Sequence, residues 1–312
     1  MFTKCQNLSG KIIQIDWFDE KDAFKCISED EYPIMLKCLY KVNSGEELNL
    51  EDPKTFNEKM QWYKIYDRNP LKTELADKYL VRKYVKEKIG EEYLVPLYGV
   101  WDKFDDIDFG KLPNQFVLQC NHGSSFIVIV KDKSTFDIQE AKNKFDKWLN
   151  TNFAFTSFEL QYKDIKPKII ALKYLEDVTI RDSYGNPDLP DYKFFCFDGK
   201  FYCSYVMEDY RNNHKFGKLG LFNKDFNLLP YNIRSYNDMT DPPKKPKNYE
   251  KMIELAEILS KGFSHVRVDF YDINDQIYFG EMTFTSGSGM YKYNPPEFNR
   301  ILGDQWNLIM DK

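Results

Sequence analysis

Residues 264–289, SHVRVDFYDINDQIYFGEMTFTSGSG, constrain the fold more than any other stretch, because ionisable residues sit inside two apolar strand patterns. His265, Arg267 and Asp269 alternate with Val266, Val268 and Phe270, so on an extended strand the polar three share one face. Residues 277–284 alternate again, with Glu281 and Thr283 on one face and Tyr278, Met282 and Phe284 on the other. The intervening 272–276, rich in Asp and Asn, reads as the turn. Closing it with Tyr271 opposite Ile277 puts Arg267 opposite Glu281 and Asp269 diagonally from it on the same face. Such neighbours have Cβ atoms roughly 4.5 to 8 Å apart, a spacing at which two carboxylates can share a hard cation. A one-residue slip would separate them. A surface hairpin with an incidental salt bridge is the structural alternative.

The chain has 312 residues, 42% of them hydrophobic, with 25 Phe and 22 Tyr, so it can bury a sizeable core in two or three subdomains. A net charge of −5 argues against a dedicated nucleic-acid binder. Cys5, Cys26, Cys38, Cys120, Cys196 and Cys203 form no CxxC pair and read as reduced cysteines of a cytoplasmic protein. Neither an apolar run of membrane-spanning length nor a signal-peptide pattern is visible, so any membrane association is expected to be peripheral. The only histidines, His122, His214 and His265, lie beside no nucleophile pattern. Trp17, Trp62 and Trp306 read as packing residues, with stacking on sugars as their alternative use.

In chain order, 11–15 is a short strand candidate, and 31–41 and 55–67 read as helices, the second opened by Asp52 and Pro53. Residues 70–89 read as one helix with a dense lysine face, from which Lys78, Arg82 and Lys83 can reach an anion; Gly90 ends it. Strands are expected at 94–100, 116–120, 126–130 and 168–175, with an acidic linker over 102–108 and a helix over 135–151. The loop Asn121, His122, Gly123, Ser124, Ser125 can present N–H groups and hydroxyls to a phosphate, and is equally the composition of an ordinary turn. A hairpin turning at Asp198 and Gly199 spans 192–205, and a helix capped by Asn248 runs over 248–260.

As an ordered set, NLEDPKTFNEKMQWYK, LADKYLVRKYV, CNHGS, KYLED, DYKFFCFDGK and VRVDFY…IYFGEMTFTSGSG resemble the TupA-like family of the ATP-grasp superfamily, found with capsule and cell-wall polysaccharide synthesis. The resemblance implies an α+β ATP-grasp fold, two α+β subdomains gripping a nucleotide, preceded by a mainly helical region. The expected divisions are 1–70, a linking 71–115, a small subdomain 116–190 and a large one 191–312. The implied chemistry is an ATP- and Mg²⁺-dependent ligase that phosphorylates a carboxylate and lets an amine attack the acyl phosphate. The implied substrates are a sugar acid or polysaccharide precursor and an amine or amino acid, with other capsule-assembly proteins as candidate partners.

By position, Asp269 and Glu281 would hold Mg²⁺ with Thr283, which stands where the superfamily usually has Asn. Arg267 would neutralise the transferring phosphoryl group. Lys173, Tyr174 and Leu175 would meet the adenine edge, Asp191 the ribose and Lys193 the phosphates, with Gln119, His122, Ser124 and Ser125 on the phosphate loop. The 285–289 loop is a candidate for acceptor or phosphate binding. Beyond Thr283, the HGSSF loop lacks an expected second glycine, and two positions lose charges of the pattern: Gln119 replaces a phosphate-binding lysine and Leu172 a glutamate on the neighbouring strand. A joint loss of opposite charges damages a fold less than either loss alone. The reading is therefore a working enzyme with an altered nucleotide pocket. Phosphoryl or glycosyl transfer on the same metal face and a scaffold protein with a degenerate site are the alternatives.

Overall fold

The computed structural model describes residues 2–6, 12–16, 28–182, 187–209 and 217–310. Trp17, Cys26 and His214 lie outside them. The chain opens with the antiparallel pair β1 (Phe2–Gln6) and β2 (Ile12–Asp16), then four helices: α1 (Tyr32–Ser44), α2 (Phe56–Tyr66), α3 (Pro70–Ala76) and α4 (Val81–Lys88). Next come β3 (Leu97–Trp101), β4 (Phe116–Cys120), β5 (Ile127–Val130), α5 (Ile138–Leu149), α6 (Ala154–Ser157) and β6 (Ile169–Lys173). Strands β3, β4, β5 and β6 form an antiparallel sheet in the order β3-β6-β4-β5. Its core is Phe116, Leu118, Ile169 and Ala171 packed on Ala141 and Phe145 of α5.

After the short pair β7 (Asp177–Arg181) and β8 (Pro187–Asp188) follow β9 (Asp191–Phe197), β10 (Lys200–Glu208), β11 (Lys218–Phe222), β12 (Asn232–Ile233) and β13 (Asn237–Asp238). The chain then forms α7 (Tyr249–Leu259), β14 (His265–Ile273), β15 (Gln276–Thr283), β16 (Tyr293–Asn294) and α8 (Phe298–Gln305). The larger sheet runs β13-β11-β10-β9-β14-β15, antiparallel except between β11 and β13. It is a middle layer. Phe194 and Phe270 face Tyr249 of α7 and its neighbours, while His265 on the opposite face meets Phe56 of α2 and Trp306 beyond α8. Helices α1 to α4 share this core, with Met35, Leu36, Met60, Leu75 and Val85 all buried in it. Trp306, at 1% exposure, is a packing residue.

Covering both faces explains why the polar side of β14 is buried. His265 donates from Nδ1 to Cys196 O at 3.0 Å as the neutral tautomer and is ringed by Phe56, Phe195, Phe197 and Trp306. Burial depresses its pKa from 6.5 to about 3. Between those values the unfolded chain binds the extra proton, so this part of the stability is full above pH 6.5 and falls as pH drops toward 3. The expected slope is up to about 1.4 kcal/mol per pH unit. Urea titrations from pH 7 to 4 check this, with His265→Gln flattening that part of the profile.

Three local expectations are corrected. Residues 70–89 are two helices, because Asp77 leaves helical geometry and its Oδ1 accepts the N–H groups of Tyr79 (2.7 Å) and Leu80 (3.1 Å). A short side chain that bonds the backbone ahead of it competes with helix. Helix α2 is capped by Thr55, whose hydroxyl accepts from Glu58 N–H in a capping box, rather than by Asp52 and Pro53. Asn248 makes no cap bond; its Nδ2 instead donates to Asp272 Oδ1 and Asp275 O, both at 2.9 Å, pinning the tip of the β14–β15 hairpin.

Candidate active site

The β14–β15 hairpin turns on Asn274 and Asp275, both with positive φ, as the tight turn of a right-twisted hairpin requires. Its register differs from the expected one. Tyr271 pairs with Tyr278, and Arg267 pairs with Thr283 instead of Glu281. A bulge between Val268↔Met282 and Phe270↔Phe279 inserts one extra residue in β15, so Gly280 and Glu281 together oppose Asp269. A Cβ on Gly280 would lie 3.1 Å from Asp269 O, and this close approach is what the glycine permits. The bulge still aims Glu281 at Arg267.

Arg267 is the hub. Its Nε and Nη2 donate to Asp269 Oδ1 (2.7 Å) and Oδ2 (2.6 Å), and Nη2 also reaches Glu281 Oε1 (3.0 Å) and Thr283 Oγ1 (2.9 Å). Nη1 donates to Tyr205 OH at 3.2 Å. Thr283 Oγ1 donates in turn to Glu281 Oε1 at 3.0 Å. Lys193 on β9 pairs with both Asp191 and Asp269, the latter at 2.7 Å. Lys78, freed from helix by the break at Asp77, bridges Gly123 O (3.0 Å) and Glu281 Oε2 (3.2 Å). Charged groups from the larger sheet and the α3–α4 turn thus meet in one network.

Burial opposes the charge on Glu281, but Lys78, Arg267 and Lys193 outweigh it and hold the carboxyl well below its usual range. Burial likewise works against the Lys193 ammonium, and the Asp191 and Asp269 carboxylates reverse that and raise it. Asp191 is pushed up, chiefly by burial and then by the charge of Asp269, against the pull of Lys193. Its Oδ1 is buried without a hydrogen-bond partner among the described residues. An orphaned acceptor of this kind costs free energy unless a donor meets it.

A cavity of about 260 Å³ lies between the two sheets above this network. Its lower wall is Asp191, Lys193, Asp269, Tyr271 and Glu281, and its upper wall is Val117 and Gln119 of β4, Ile127 and Ile129 of β5, and Leu172 and Lys173 of β6. Lys78 and Arg82 close one side. Ile127 and Ile129 are 43% and 40% exposed, an uncovered apolar surface of the kind a planar base can stack on.

The family description TupA-like ATPgrasp matches residues 58–307. The chain belongs to the TupA-like ATP-grasp family. No curated protein sequence matches it. Among solved structures it is similar to D-alanine–D-alanine ligase from Helicobacter pylori, at 14% identity and a TM-score of 0.43, over 76% of this chain and 60% of that one. D-alanine–D-alanine ligase from Bacillus anthracis complexed with ATP gives 14% identity and a TM-score of 0.37, over 68% and 54%. An ADP complex of purK, N5-carboxyaminoimidazole ribonucleotide synthetase, gives 11% and 0.39, over 87% and 58%. The chain therefore spans between 54% and 60% of these proteins. The TupA-like chain has the α+β ATP-grasp fold expected from its motifs.

Of the residues singled out in the sequence, Gln119, Lys173, Leu175, Asp191, Lys193, Asp269 and Glu281 line the cavity, with Arg267 and Thr283 behind Glu281. Tyr174 is buried, and its hydroxyl donates to Glu176 at 3.1 Å. Ser124 and Ser125 are exposed on the β4–β5 loop, Ser125 with φ of 63°. His122 points away from the cavity: it is 2% exposed, and its Nε2 lies 3.1 Å from Trp148 O and 3.2 Å from Thr151 O. Gln119 pairs with Ile170 and Val117 with Leu172, so the two departures from the superfamily pattern sit diagonally on one face. Lys78 and Arg82, named in the sequence as able to reach an anion, also line the cavity, and the turn at Asp77 brings Lys78 to Glu281.

The donor set suits Mg²⁺. Among the described residues no three His, Cys, Asp or Glu side chains gather round one point, but Mg²⁺ commonly takes one or two carboxylates and fills its shell with phosphate oxygens and water. Glu281, with 36% of its side chain exposed, Asp269 and the Thr283 hydroxyl already converge on the cationic Nη2 of Arg267. No helix among the described residues is long and apolar enough to cross a membrane, and Cys38, Cys120, Cys196 and Cys203 carry free thiols.

Proposed function

We propose that this protein is an ATP- and Mg²⁺-dependent carboxylate–amine ligase that acts through an acyl phosphate on a uronic acid or similar group of a cell-surface polysaccharide precursor. The observation that carries the reading is the convergence of Asp269, Glu281 and Thr283 on Arg267 at the floor of a cavity walled by both sheets. Family membership supports the nucleotide.

In this reading the base lies against Ile127, Ile129 and Leu172, with the Lys173 to Leu175 backbone at its edge and Asp191 Oδ1 receiving a ribose hydroxyl. That hydroxyl would satisfy the acceptor the fold leaves orphaned. Lys78, Arg82 and Lys193 face the phosphates, three cations from three elements. Mg²⁺, held by Glu281 and Asp269 with Thr283 beside them, would screen phosphate charge and orient the transferred group. Arg267 is fixed by Asp269 and Tyr205, so its guanidinium needs no reorganisation as charge develops on the phosphoryl oxygens. The polysaccharide acceptor is the finer part of the reading, and rests on the motif resemblance.

ADP release is the direct test. Release that requires Mg²⁺, a sugar acid and an amine together supports the ligase. Release with a hydroxyl acceptor and no amine indicates phosphoryl transfer, and no nucleotide-dependent stabilisation at millimolar ATP indicates a scaffold.

A further inference from the structure

A second depression, of about 940 Å³, lies between α2, residues 262–264 and residues 308–310, at the end of β9 opposite the nucleotide cavity. Asp191 opens β9 at the cavity and Asp198 follows its last residue at the depression, a separation of roughly 20 Å at the rise of an extended strand. One wall is Trp62 and Tyr66, one helical turn apart on α2, with ring centroids 5.2 Å apart and planes inclined by 44°. Tyr66 is 47% exposed. The facing wall includes Ile309, 68% exposed, and the rim carries Asp67, Asn69 and Asp198.

We propose that this groove binds a neutral or amino-bearing saccharide, a stretch of the same acceptor whose reacting group enters the nucleotide cavity. The inference deepens the ligase reading and rests on its acceptor being a saccharide. An inclined pair of aromatic faces accepts the C–H face of a pyranose, and carboxylates and an amide beside it accept from and donate to ring hydroxyls.

The rim decides between occupants. Asp67 Oδ1 is engaged by Lys72 and by the N–H of Asn69, and Asn69 Oδ1 caps Leu71. Asp67 Oδ2, Asn69 Nδ2 and the Asp198 carboxylate have no partner among the described residues. An apolar helix laid in the groove would cover those groups without giving them partners. Sugar hydroxyls would satisfy them. Among the described residues no Lys or Arg lines the groove, and with Asp67 paired to Lys72 the Asp198 carboxylate is its unpaired charge, so an acidic sugar is disfavoured and a neutral or amino sugar is not.

The test is calorimetry and tryptophan fluorescence of the full chain with cello-, chito- and chitosan oligosaccharides, and with oligogalacturonate as the acidic probe. At least one of the first three is expected to bind, and Trp62→Ala and Tyr66→Ala to weaken it at least about tenfold. Glu281→Gln should leave that affinity unchanged. Tyr66 is exposed enough that its loss leaves the core intact, which keeps the test valid if Trp62→Ala misfolds. No binding by any of the three at about 10 mM, tighter binding of oligogalacturonate, or wild-type affinity in the Tyr66 variant would overturn the proposal. Stabilisation by Mg²⁺ and ATP is measured in parallel. If it persists while the groove binds nothing, only this inference fails; if the wild type lacks it, the ligase reading fails independently.

Discussion

Asp269→Ala is expected to lower the unfolding free energy by about 3–5 kcal/mol, whereas Glu281→Gln costs less stability and abolishes metal-dependent nucleotide binding. The two carboxylates share Arg267 but stand in different surroundings. Asp269 is 1% exposed and is the bidentate partner of Arg267, itself 5% exposed, as well as a partner of Lys193. Deleting it takes the bidentate partner from Arg267 and leaves Lys193 with Asp191 alone, so two buried cations are under-compensated at a cost larger than the worth of the pairs themselves. Glu281 keeps a third of its side chain in contact with the cavity, and the amide carbonyl of the Glu281→Gln variant would still accept from Arg267. What the amide loses is the charge a divalent cation needs. Urea unfolding of both variants, with thermal midpoints in ATP with and without Mg²⁺, separates these effects. A Glu281→Gln protein that keeps a full Mg²⁺-dependent shift would remove Glu281 from the metal site.

The hairpin that carries these residues was legible because a strand's period of two is short and unambiguous, and because Asn274 and Asp275 tolerate the positive φ of a tight turn. The bulge was not legible. Gly280 in a strand pattern signals either a bulge or a close approach, and only the packing of its Cα against Asp269 O distinguishes them. Helices α1, α2, α5 and α7 could be read from their apolar stripes, but the break at Asp77 could not. The apolar positions continue in phase on both sides of it, and the Asp77 carboxylate is also held from another element by Asn121, whose Nδ2 donates to Asp77 Oδ2 at 2.8 Å. Composition could not tell a phosphate loop from a plain turn at 121–125 either. His122 is taken up by carbonyls at the end of α5, a long-range arrangement with no local trace.

That same break sets the second large effect. Lys78→Met is expected to weaken binding of Mg²⁺ and ATP by about tenfold to a hundredfold, the loss of one charge-assisted hydrogen bond in a partly desolvated site. The Lys78 backbone N–H stays bonded to Asn121 O at 2.9 Å and Asp77 still holds the turn, so the fold is expected to survive. Strand β4 presents Gln119 to the same cavity, so in the proposed ligase the phosphates would rely on cations from the α3–α4 turn, from α4 and from β9. Adding Gln119→Lys to Lys78→Met should recover part of the lost affinity by returning a cation from the opposite wall. A double-mutant cycle on nucleotide affinity measures this. Recovery would show that the two positions serve one anion. Additive effects would mean that Lys78 acts only by holding Glu281 and the Gly123 carbonyl in place.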